Sequence, residues 1–105
     1  MIRGTEAART DFEQAVHDVL CALEAGDVVT YGEVAVEAGY SKRASRAVGG
    51  YLARSGGDYP WWRVVMADGR LAPGKENDQG RRLRGEGVEV RKGRVVMAGG
   101  VHHRR

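Results

Sequence analysis

The sequence predicts a mainly helical domain with a small β component, arranged as a winged helix-turn-helix with a C-terminal β-hairpin. Three observations predict it. Two capping boxes, Thr10–Glu13 and Thr30–Glu33, each open an apolar run at helical spacing. Gly39 and a fresh N-cap, Ser41, divide the second of these helices from a third. Two short alternating segments face one another across Lys92-Gly93.

Residues 1–9 show no periodicity and read as a loose terminus. Phe12, Val16, Val19, Leu20 and Leu23 then fall on one stripe, with Gly26 as the stop, which predicts a helix from Thr10 towards Gly26. Val28-Val29 is a short extended lead-in to the second helix, which runs through Val34, Ala35 and Ala38 to Gly39. Ser41 caps a third helix ending near Ala53 or Arg54. A short helix, a tight turn at Gly39-Tyr40 and a second helix make a helix-turn-helix pattern. Ser55 to Tyr59 is a flexible connector into Pro60, and alternation over Trp61 to Met66 predicts a strand starting after the proline. On that pattern at most one of the two Trp faces the core. Ala67-Asp68-Gly69 reads as a turn, Ala72 to Lys75 as a loop, and Glu76 to Arg84 as a fourth helix. Val88 to Val90 and Arg94 to Met97 form the hairpin, and 98–105 is a basic tail. The 105 residues constitute one domain, with 10–97 as its folded body.

Composition narrows the function classes. No apolar run approaches the ~20 residues of a membrane span, and the N-terminus lacks a signal-peptide pattern. The single Cys excludes an intramolecular disulfide and a multi-Cys zinc site, which suits an intracellular setting. His102 and His103 are adjacent in the tail and read as solvated rather than metal-binding, so neither a metal site nor a cofactor is called for. Charge is segregated: residues 1–30 carry two Arg against six acids, whereas residues 31–105 carry fifteen Lys or Arg against eight acids. That asymmetry favours a polyanionic partner for the later part.

The third helix sharpens the point. At roughly 100° per residue, Arg46, Gly50 and Arg54 lie within about 60° of Arg43, beside an apolar face of Ala44, Ala47, Val48 and Tyr51. A solvated basic face is the alternative. However, Gly49-Gly50 in mid-helix costs about 1 kcal/mol each relative to Ala, and small residues beside a basic stripe let a phosphate backbone approach closely.

Val29-Thr30-Tyr31-Gly32-Glu33-Val34-Ala35, Ala44 to Gly50, Pro60-Trp61-Trp62-Arg63-Val64-Val65 and Glu86-Gly87-Val88 follow in this order. In order and spacing the chain resembles the DNA-binding domain of the O6-alkylguanine-DNA alkyltransferases over roughly residues 10 to 97. That family carries an alkyl-accepting Cys and then His between the Pro and the Arg; here both are Trp. The chain is therefore similar to the alkyltransferase-like proteins, which keep the lesion-binding fold and lack the acceptor thiol.

The resemblance implies a partner, duplex DNA containing O6-alkylguanine, engaged through the minor groove. It implies contacts from Thr30, Tyr31, Ser41, Arg43, Ser45, Arg46, Ala47, Gly49 and Gly50. Arg46 would enter the duplex where the damaged nucleotide has rotated out, and Tyr31 would crowd the phosphate that drives the rotation. Tyr31, Trp61, Val64 (through its backbone) and Lys75 would form the lesion pocket. Glu86 matches the carboxylate of the family's activating relay and, with no His to serve, is expected to satisfy Arg63 or the Trp62 N–H. Ser55 stands where the alkyltransferases usually carry Asn, and relatives more often show Trp-His than Trp-Trp. No residue is assigned a catalytic role, because an indole is neither a nucleophile nor its activating base. The resemblance further implies a monomer acting in the cytoplasm (on the nucleoid in a prokaryote), without a membrane partner, that passes lesions to nucleotide-excision repair proteins. Two other classes stay open on the residues: a winged-helix regulator reading the major groove, and an enzyme using Cys21 as acceptor, although Cys21 lies opposite Phe12 and far from Pro60 in sequence.

Overall fold

A computed structural model describes residues 8–96; the loose terminus to Ala7, the end of the hairpin at Met97 and the 98–105 tail lie outside the described residues. Four helices and two two-stranded sheets follow one another: α1 (Asp11–Cys21), β1 (Val29–Thr30), α2 (Tyr31–Glu37), α3 (Ser45–Arg54), β2 (Val64–Val65), α4 (Glu76–Gly85), β3 (Val90–Arg91) and β4 (Arg94–Val95). The mainly helical class with a β-hairpin wing holds.

Local chemistry sets the helix starts. Thr10 and Thr30 each accept a hydrogen bond from the backbone N–H three residues on, and Glu13 and Glu33 bond back to the cap. Two of the first-turn N–H groups, which have no partner inside a helix, are thereby satisfied at each start. Helix α2 ends in a Schellman motif: Gly39 N–H reaches the Val36 carbonyl at 2.9 Å and Tyr40 N–H the Ala35 carbonyl at 2.9 Å. Gly39 has φ +97°, which a side chain opposes, so the turn between α2 and α3 requires glycine.

Helix ends and the third helix depart from expectation. Helix α1 stops at Cys21, short of Gly26, because Asp27 closes a turn instead: its N–H reaches the Glu24 carbonyl at 2.9 Å and its buried carboxylate takes the Glu24 N–H at 2.7 Å. Ser41 caps not α3 but a single 3₁₀ turn over Lys42–Ala44, which leads into α3 at Ser45. The strand expected from Trp61 begins only at Val64. Trp61–Arg63 forms a 3₁₀ turn, since the φ of −75° at Pro60 suits a helical first turn and Arg63 N–H bonds the Pro60 carbonyl at 3.0 Å.

The lead-in at Val29 is one member of a parallel pair: Val29 lies beside Val64 and Thr30 beside Val65. This pair stands between two cores. Val29 and Val64 join Val16, Leu20, Val34, Val48 and Leu52 on one side, and Val28 and Val65 join Leu71, Leu83, Val88, Val90 and Val95 on the other. The tandem indoles divide in the same way, Trp61 against the first core and Trp62 against the second. Both are half-buried, so neither is the outcast that strict alternation required.

The wing is a two-residue hairpin. Arg91 pairs with Arg94, and Lys92 (φ 52°) and Gly93 (φ 76°) are both left-handed, the signature of a type I′ turn. Backbone bonds from Leu71 N–H to the Gly93 carbonyl and from Val95 N–H to the Gly69 carbonyl tie the hairpin to the segment after β2.

Candidate nucleic-acid interface

The exposed face of α3 and of the turn before it carries Arg43, Arg46 and Ala47. Among the described residues no carboxylate pairs with Arg43 or Arg46. Ser41 is exposed, with its hydroxyl accepting the Arg43 N–H at 3.2 Å. Thr30 is buried and its hydroxyl serves the α2 cap, so it shapes the surface from beneath. Ser45 and Tyr31 are half-buried and meet at a hollow of about 450 Å3, closed by Lys42 and by Met66 and Ala67 after β2. Burial raises the Tyr31 hydroxyl above the ordinary tyrosine range, so it stays a neutral donor at physiological pH.

The glycine pair splits into two roles. A Cβ on Gly49 would meet the Tyr31 ring at 3.8 Å, so Gly49 faces inward, under Tyr31, and not a partner. The crossing of α2 on α3 decides this, since it turns that side of α3 towards the neighbouring helix. Around Gly50 the nearest atom is the flexible end of Arg54, at 3.4 Å, which leaves its backbone approachable.

The expected lesion pocket is distributed differently from expectation. Trp61, Val64 and Lys75 do not line the hollow at Tyr31. Val64 is fully buried, and its carbonyl already accepts from the Gln79 amide at 3.0 Å, so β-pairing and this bond take up the backbone assigned to the pocket. Trp61 keeps an exposed part, with the Lys75 ammonium 5.5 Å and the Arg82 guanidinium 5.7 Å from its ring centre. Trp62 stands edge-on to Trp61 at 6.2 Å between centroids and carries Arg82 at 4.9 Å and Arg63 at 5.2 Å.

Glu86 locks this segment from below. One carboxylate oxygen accepts from Gly26 N–H at 2.9 Å and Arg63 Nε at 3.0 Å; the other accepts from Trp62 Nε1 and Arg63, each at 2.8 Å. Both expected donors are met, with Gly26 as a third. Burial alone would raise this carboxyl, but the hydrogen bonds from Arg63, Gly26 and Trp62 outweigh it and hold the group at about 2. Arg63 also donates to the Leu23 carbonyl at 3.2 Å.

Two supports were not foreseen. Gln79, fully buried, donates to the Trp62 and Val64 carbonyls at 3.0 Å each and accepts the Ala72 N–H at 2.7 Å. Its signal in the sequence was a Gln one turn before Leu83, on the inward stripe of a charged helix. The second support fixes the approach to Pro60. Tyr59 bonds the Tyr51 hydroxyl at 2.8 Å and His17 Nδ1 at 2.6 Å, and Arg9 donates to Tyr51 at 3.1 Å. Burial first, and then the Tyr51 hydroxyl, push Tyr59 up to about 12. Cys21 is exposed on α1, with the His17 ring nitrogens 3.7 and 3.9 Å away. Among the described residues no group of three or more His, Cys, Asp or Glu could hold a metal, and no helix is long and apolar enough to cross a membrane.

Two helices across a glycine turn, a basic exposed face on the second and a hairpin wing define a winged helix-turn-helix of the DNA-binding kind. The chain belongs to the family of 6-O-methylguanine DNA methyltransferase DNA-binding domains, whose model matches residues 11–88, and is an alkyltransferase-like member of it. It is similar to a DNA base-flipping protein of Escherichia coli, 43% identical over 83 residues, a match covering 75% of this chain and 64% of that protein. A DNA base-flipping protein of Vibrio parahaemolyticus is 37% identical, with 75% and 83% covered. Among solved structures, S. pombe Atl1 in complex with damaged DNA containing O6-carboxymethylguanine superposes with a TM-score of 0.71 at 31% identity, covering 87% of this chain and 93% of that one. The Mycobacterium tuberculosis O6-methylguanine methyltransferase gives 0.59 at 32% identity, covering 75% and 50%.

Proposed function

We propose that this protein is a non-enzymatic sensor of O6-alkylguanine. It engages duplex DNA through the minor groove, rotates the damaged base out of the stack and holds it without repairing it. The observation that carries this reading is the tandem Trp61-Trp62 where an alkyltransferase needs a thiol and its activating base. Glu86 supports it, because its four accepted hydrogen bonds are all spent on holding Trp62, Arg63 and Gly26. In the act of flipping, Arg46 fills the vacated place in the stack and hydrogen-bonds the orphaned base, while Tyr31 presses on the phosphate. The exposed part of Trp61 receives the alkylated base with apolar area in place of a covalent bond. Flipping costs a few kcal/mol, and least where pairing is already weakened, so a lesion is favoured before any pocket contact forms. A monomer acting in the cytoplasm then marks the site for nucleotide-excision repair proteins.

The test compares two duplexes that differ only in one O6-alkylguanine, at one salt concentration, with mass spectrometry of the protein afterwards. Tighter binding to the lesion and an unchanged protein mass are expected. Equal affinity for both duplexes overturns the sensor, and an alkyl adduct on Cys21 overturns its non-enzymatic character.

Gly50→Ala separates stability from binding. The new methyl meets only the Arg54 guanidinium, so the helix gains about 0.5–1 kcal/mol and the melting temperature rises by a few degrees. DNA affinity is expected to fall several-fold, because the methyl holds the phosphate backbone off. A stabilised variant with undiminished affinity removes Gly50 from the interface.

A further inference from the structure

Four cation–ring contacts converge on the tandem indoles, and the cations are not equivalent. Arg63 lies over Trp62, but its charge is cancelled by Glu86 in a pair that is only 14% exposed on each side. Arg82 rests on both rings, nearer to Trp62 (4.9 Å) than to Trp61 (5.7 Å). Its Nε also donates to Asp78 at 3.1 Å, a carboxylate shared with Arg81 and substantially exposed, so water screens that pair. Lys75 stands 5.5 Å from the Trp61 centroid and makes no ion pair among the described residues. Two incompletely neutralised cations thus flank the indole that replaces the acceptor thiol. The second indole, Trp62, is the surface that carries Arg82 to that place.

We infer that the site walled by Trp61 selects O6-alkylguanines whose alkyl group bears a negative charge, a carboxylate above all, over neutral alkyl groups of similar size. Lys75 and Arg82 are the selecting residues. The inference rests on the reading of Trp61 as the wall of the lesion site. A substituent touching the Trp61 ring comes within about one ring width of both cations. At roughly 6–7 Å, with an effective dielectric between protein surface and water, the attraction amounts to about a fivefold to twentyfold preference. A neutral alkyl group gains only apolar contact there. Attraction of the same cations to DNA phosphates is common to every duplex and cancels in a ratio of affinities.

The experiment measures fluorescence anisotropy with three duplexes that differ at one base: guanine, O6-ethylguanine and O6-carboxymethylguanine. The carboxymethyl duplex is expected to bind about fivefold or more tighter than the ethyl duplex, with the ratio falling as salt rises. In the double variant Lys75→Gln/Arg82→Gln the ratio is expected to shrink to within about twofold, and in Lys75→Arg/Arg82→Lys to be retained. Both side chains are exposed, so these variants are expected to melt as the parent does. Equal affinity for the two lesions, both above guanine, overturns the charge preference and leaves the sensor standing. A ratio undiminished in the Gln variant overturns the assignment to Lys75 and Arg82. Equal affinity for all three duplexes defeats the underlying reading itself.

Discussion

Glu86→Ala is expected to destabilise the protein by about 3–5 kcal/mol, a large share of the 5–15 kcal/mol that holds a domain folded. The carboxylate is the counter-ion of Arg63, whose guanidinium is only 14% exposed, and it also accepts from the Trp62 indole and the Gly26 backbone. Its removal leaves a buried cation and two donors without partners. Urea denaturation measures the loss, and a cost under about 1 kcal/mol refutes the account of Glu86 as the lock beneath the tandem indoles. The same group sets an acid limit. Its folded value of about 2 lies below the ordinary 4.5, so its contribution is complete above pH 4.5 and is lost as the pH falls towards 2. The loss is on the order of 2–3 kcal/mol, and Glu86→Ala is expected to lack that part of the pH dependence.

Arg46→Ala is expected to weaken binding to a lesion duplex by at least about tenfold while leaving stability within about 0.5 kcal/mol. The side chain is exposed and unpaired among the described residues, so folding asks nothing of it. Its value lies in a planar guanidinium that stacks and donates in the plane of the bases. Arg46→Lys, which keeps the charge and loses the plane, is therefore expected to recover little of the loss. Undiminished lesion affinity in Arg46→Ala, with melting unchanged, returns Arg46 to the status of a solvated charge. A parallel loss in Tyr31→Ala is harder to assign, because that ring also packs over Gly49.

The helix starts were legible because a capping box is written in four consecutive residues, and both Thr10 and Thr30 behave as their spacing says. The hairpin turn was legible for the same reason, with Lys92-Gly93 adopting the left-handed pair that a two-residue loop demands. Helix α1 was overrun because its end depends on Asp27 closing back on Glu24, an interaction that periodicity does not register. The Pro60 segment was misread as a strand because alternation cannot tell an extended run from one 3₁₀ turn followed by two strand residues. Gln79 escaped notice since a buried amide only makes sense once the carbonyls of Trp62 and Val64 are in place above it.

By itself the sequence determined the element order, the basic face on the third helix, and the chemistry denied to this site by two indoles. These are properties of residue type and short spacing, and they survive any arrangement in space. Only the tertiary structure decided that β1 and β2 pair in parallel, that the two indoles serve different cores, and that Gly49 lies under Tyr31 while Gly50 stays open. It alone brought Lys75 and Arg82 onto Trp61, and Glu86 beneath Arg63, a partner 23 residues away along the chain. Contacts across such separations are set by how helices and strands pack together, and no local pattern encodes that packing.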